Sequence, residues 1–158
     1  NLAAITYYFG SKDHLVAEAL VADIQHRVDP AIGLLEGDGE APVRLLAAID
    51  ALLAEFERSA TDITVYLQAL LLCARPGSEG EPGRALVETL RVRLATVIGQ
   101  LVAAGVIAPW VRPDTMASLL VAAANGIALQ SQLQPDLDVR EVVGQLAALL
   151  LAASNAPS

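Results

Sequence analysis

Apolar positions recur at intervals of three and four along most of the chain, the spacing of one helix face, and turn residues cut this pattern into successive helical segments. A short segment over residues 2–9 stops at Gly10. The next starts at Ser11, a good N-cap, with Asp13 in the first turn where a carboxylate suits the helix dipole. Leu15, Ala19, Ala22 and Val28 carry it to Asp29, and Pro30 is expected to kink or interrupt it before Glu36. After a Gly37-Asp38-Gly39 loop, a helix beginning near Pro42 has a broad apolar stripe of Leu45, Leu46, Ile49, Leu52, Leu53 and Phe56. Thr61 or Asp62 caps the next, whose stripe is Ile63, Tyr66, Leu67, Leu70 and Ala74. Residues 75–83, rich in Pro, Gly and Glu, read as the longest loop. A helix over about residues 84–104 ends at a Gly105 cap, and a connector holding Pro109 and Trp110 leads to a helix that begins after Pro113 and reaches about Leu133. Pro135 and Asp136 break that helix, and a last one spans residues 139–153.

No segment alternates apolar and polar residues for long, and aromatics are only 4%, so the fold class is all-α. The most apolar stretches, residues 67–74 and 117–129, are shorter than the roughly 18 apolar residues of a membrane span. Gln68 and Asn125 interrupt them, and both are expected to be buried helices of a soluble protein with no membrane partner. A single cysteine, Cys73, forms no intramolecular disulfide, which suits a reducing cytoplasm. With no initiating Met and a helical pattern from the first residue, an upstream segment is expected to be missing.

A net charge of −8 opposes a nucleic-acid-binding domain, which is usually basic. The charge is uneven, however: the only lysine, Lys12, lies near the N-terminus with His14, and the acidic residues follow. Two His and one Cys are too scattered for metal-ligand spacing, and neither a phosphate-cradling glycine loop nor a nucleophile motif is present. No catalytic residue, metal or cofactor is therefore expected, and the chain does not read as an enzyme.

The first twenty residues are NLAAITYYFGSKDHLVAEAL. In order and spacing, Ile5, Tyr7, Phe9, Gly10, Ser11, Lys12 and Leu15 resemble the end of the helix-turn-helix in TetR-family regulators: an aromatic run and Phe, a small turn residue, Ser-Lys, a polar pair and Leu. Thr6 stands where an aromatic is frequent and Tyr8 where His is frequent. The resemblance implies a recognition-helix remnant over residues 1–10, a connecting helix over 11–36, and a C-terminal ligand-binding and dimerisation domain over 37–158. The family's first two helices would lie upstream.

It also implies DNA contacts at Asn1, Leu2, Ala3, Thr6, Tyr7 and Lys12. Residues at the N-terminal end of such a helix meet base edges; Asn pairs with adenine, and apolar groups touch thymine methyls. Lys12 in a first helical turn opposes the helix dipole, a conflict that a phosphate there would remove. An exposed lysine and a packed tyrosine are the plain alternative for Lys12 and Tyr7.

In the body, the resemblance implies a small-molecule cavity between the helices of residues 11–133. Tyr66, Leu70 and Cys73 share a helix face, and Phe56, Trp110, Met116 and Asn125 are further candidate lining residues. Singly, each is more often ordinary core; together they suggest a mainly apolar pocket for a hydrophobic effector. The helices over about 114–133 and 139–153 match the family's dimerisation pair, the first dense in Ala, Gly and Ser; burial of both inside a monomer is the alternative. The expectation is a TetR-like repressor that binds operator DNA as a homodimer, with a helical ligand-binding or interaction module without DNA binding as the alternative.

Overall fold

The computed structural model describes residues 12–58, 63–74, 76–77 and 80–152. Among these, the elements are six helices and no strand: α1 (Lys12–Glu36), α2 (Ala41–Arg58), α3 (Ile63–Cys73), α4 (Glu81–Ala103), α5 (Pro113–Leu133) and α6 (Val139–Ala152). α1 is the organising helix. It packs along α2 and α4 and reaches α3, while α5 lies along α4 and touches α3.

The main core sits at the C-terminal half of α1. Ala31 and Leu35 of α1 and Ala48 of α2 meet Val97, Ile98 and Leu101 of α4, Ala117 of α5 and three connector residues, Ile107, Ala108 and Val111. A small apolar void of about 80 Å³ remains there, bordered on the far side by Ala147 of α6. Arg93 of α4 fastens the same region to α1: its guanidinium pairs through two nitrogens with Glu36, each at 2.9 Å, and through the third with Asp29 at 2.6 Å.

This packing explains why Pro30, expected to kink or interrupt α1, does not interrupt it. Pro30 removes one backbone donor and crowds the carbonyl four residues back, a cost of about 3 kcal/mol. Ala31, Ile32 and Leu35, at 1%, 2% and 9% exposure, follow immediately, and their burial holds the helix together across the proline. Arg44 of α2 caps its far end, donating to the carbonyls of Leu35 at 2.8 Å and Gly37 at 2.6 Å.

Local chemistry sets the other ends. α4 starts at Glu81, three residues before the expected point, because Pro82 sits in the first turn, where a missing N–H is harmless. It ends in a Schellman motif: Gly105 adopts φ +71°, its N–H donates to Val102 and that of Val106 to Leu101. Asp138 caps α6 by accepting the Glu141 N–H at 3.0 Å.

The expectation that residues 117–129 form a buried helix is corrected. Only Ala117 and Ala128 of α5 are buried. Leu119, Leu129 and Leu133 are 55%, 46% and 66% exposed, because no other described element covers that face. Residues 67–74 are likewise only partly buried: Cys73 is enclosed, but Leu71 is 73% exposed. By length and composition α5 is apolar enough to cross a membrane, the only such helix among the described residues, yet it packs along α4 and against α3. α6 has the sparsest packing of the six. Arg140 ties it to α2 through Glu57 at 3.0 Å and Asp50 at 3.6 Å, both exposed pairs worth little.

Candidate functional site

A cavity of about 320 Å³ opens at the other half of α1, between α1, α2, α3 and α5. Helical spacing selects its wall. From α1 come Asp23, Ile24, Arg27 and Val28, one turn apart in two adjacent rows. α2 adds Leu52, Glu55 and Phe56; α3 adds Ile63, Val65 and Tyr66; α5 closes it with the small residues Ala124 and Ala128. The lining is mainly apolar, with its charge gathered at one edge.

At that edge Arg27 bridges two helices. Its Nε donates to Asp23 Oδ2 at 2.7 Å within α1, and an Nη reaches Glu55 Oε1 of α2 at 3.4 Å. The other Glu55 oxygen accepts from Arg58 at 2.7 Å, on the solvent side. The lining has one further polar handle: the Tyr66 hydroxyl donates to Asn125 Oδ1 at 2.5 Å, joining α3 to α5. Burial raises the Tyr66 pKa above its ordinary value, so the phenol stays neutral and remains a donor. Thr64 adds a second α3–α5 link, donating to Gln132 at 3.2 Å.

Behind Tyr66, Cys73 is buried against Ile24. Desolvation pushes its thiol pKa up, offset in part by the positive charge of Arg84, which makes it a packing residue and a poor nucleophile. Gly83 of α4 lies against it so closely that a Cβ would fall 2.0 Å from the sulfur.

Of the lining candidates read from the sequence, Phe56 and Tyr66 stand in the cavity wall. Asn125 is bonded to Tyr66, and Cys73 packs behind it. Leu70 is half-buried on α3 outside the wall. Met116 borders the small void in the main core, and Trp110 is 67% exposed in the connector. Asn1, Leu2, Ala3, Thr6 and Tyr7 lie outside the described residues; so does the side chain of Lys12, whose backbone opens α1.

Sequence reasoning missed the charged edge. Asp23 and Arg27 at i, i+4 were a visible signal, but such a pair usually marks a solvated face. Nothing local says that Glu55, 28 positions on, faces the same cation. Among the described residues no group of three or more His, Cys, Asp or Glu is placed to hold a metal ion. Comparison of the chain with family models, with curated proteins and with solved structures finds no match to any of them.

Proposed function

We propose that the chain is a TetR-like transcriptional regulator: a repressor that binds operator DNA as a homodimer and is released by a small, mainly apolar effector. One observation carries this reading. The cavity takes part of its wall from α1, the helix that continues from the Ser11-Lys12 end of the recognition motif. A molecule seated against Ile24 and Val28 has direct purchase on the helix that would hold the DNA-reading surface. From Asp29 onward the same helix is fixed by Arg93 and the main core. An effector that prefers one setting of the N-terminal half of α1 shifts the population toward it. Operator binding requires two recognition helices about 34–36 Å apart, one DNA turn, so a small change at α1 releases DNA.

The exposed face of α5 supports the dimer. Leu119, Ala122, Gly126, Leu129 and Leu133 succeed one another at three- and four-residue steps, all exposed in the single chain. With Leu149 of α6, 61% exposed, they suit a two-fold, four-helix interface. The acidic charge of −8 favours the second reading, a helical ligand-binding module with no DNA role.

The test is a mobility-shift titration of operator DNA with the protein carrying the upstream helices implied by the resemblance. Retention that weakens on Tyr7→Phe and Lys12→Ala supports the regulator. Retention unchanged by both variants sinks the contact assignment, and no retention leaves the module. Leu129→Glu should convert a dimer to a monomer in sedimentation; a wild-type monomer would refute the dimer.

A further inference from the structure

We infer that the cavity selects a lipophilic cation, an apolar body of about one ring with a quaternary or protonated amine. This deepens the effector-site reading and rests on it. The volume of about 320 Å³ equals roughly ten waters at about 30 Å³ each, room for a ring and a short branched group. Ile24, Val28, Leu52 and Ile63 take the apolar part.

Charge at the edge sets the sign. Among the described lining residues, two carboxylates, Asp23 and Glu55, stand beside one cation, Arg27, which both engage. An anionic ligand would have to compete with two tethered carboxylates for Arg27 and then lie beside them. A cation meets the opposite situation: either carboxylate accepts it, with Arg27 kept by the other. Arg58 reaches Glu55 from the outside at 72% exposure, where solvent screens it. Phe56 and Tyr66 add two aromatic rings in the same wall, surfaces that attract a cation within about 6 Å of the ring centre. A quaternary ammonium is more weakly hydrated than a primary ammonium and loses less on leaving water. The chain's net charge of −8 draws cations to the molecule at long range.

The test uses three probes that share a benzyl group with a tetrahedral head: benzyltrimethylammonium, its uncharged isostere neopentylbenzene, and the phenylmethanesulfonate anion. Each is titrated into the whole chain, with the Ala124 and Ala128 methyl NMR signals reporting occupancy at the cavity. The expected result is cation binding about tenfold tighter than either other probe. Glu55→Gln should remove most of that preference while leaving neopentylbenzene affinity unchanged. Asp38→Asn, a loop carboxylate outside the wall, should leave the preference intact. Equal or tighter binding of the neutral or anionic probe overturns the charge inference and leaves the effector cavity standing. If none of the three moves the two methyl signals, both the inference and the effector-site reading fall.

Discussion

Replacing Gly83 with Ala should destabilise the protein by an amount set by one contact. Gly83 lies in the first turn of α4, and an added Cβ would fall 2.0 Å from the Sγ and 2.3 Å from the Cβ of Cys73. Ordinary carbon contacts lie at about 3.5–4.0 Å, so relief requires a movement of more than an ångström. The sulfur cannot provide it by rotating, because the Cys73 Cβ is fixed to the end of α3 and collides as well. α3 and α4 must separate, opening contacts around a buried cysteine. Overpacking of this kind costs about 1–3 kcal/mol, and two contacts this short place it at the upper end. Helix propensity returns up to about 1 kcal/mol. The net loss is about 2 kcal/mol, a fall of roughly 4–8 °C in Tm for a chain of this size. Urea titration followed by far-ultraviolet circular dichroism measures it. Gly99→Ala is the control: its Cβ would meet only Pro113 Cγ at 3.8 Å, so it should gain stability. Cys73→Gly, at the last residue of α3, should rescue Gly83→Ala by at least about 1 kcal/mol in a double-mutant cycle. A Gly83→Ala protein as stable as the wild type, or a cycle with no coupling, would refute the contact.

Three further outcomes follow from the same geometry. Pro30→Ala should stabilise the protein by about 1–3 kcal/mol, since α1 already runs through that position and Ala restores the missing donor; an unchanged urea midpoint would mean that α1 has adapted to the proline. The Arg93 guanidinium holds the Glu36 carboxyl below the ordinary glutamate range, so the pair's contribution is complete above that range and is lost as pH falls through the depressed value. The stability gap between wild type and Arg93→Gln should therefore narrow in acid, by the small amount a half-exposed pair allows, and a gap constant from neutral to acid pH would contradict the linkage. Tyr66→Phe removes the donor to Asn125 and should cost about 0.5–1.5 kcal/mol in denaturant titrations; no loss would mean that solvent replaces the hydroxyl freely.

The sequence by itself determined the six described helices to within a few residues, because most of their ends are set by local chemistry; the segment read over residues 2–9 and the Thr61 or Asp62 cap lie outside the described residues. Gly105 stops α4 through a positive φ and two short-range hydrogen bonds, Pro113 opens α5, and Pro135 ends it wherever the rest of the chain lies. Pro30 carries the same local signal but does not interrupt α1, because Ala31 and Leu35 find partners on helices distant in sequence. The apolar stripes likewise showed that helices pack, but not which faces meet. Residues 117–129 and 67–74 read as interior, yet the first lies largely on the surface and the second is only partly enclosed. Trp110 and Phe56 are both apolar aromatics; one faces water and the other lines the cavity. The cavity itself is wholly tertiary. Ile24 and Ala128 share a wall although more than one hundred residues separate them, and Arg27 meets Glu55 only because α2 folds back along α1. Backbone punctuation acts over one turn and is legible residue by residue, whereas a cavity is the space that several crossing helices leave unfilled, decided when their side chains pack together.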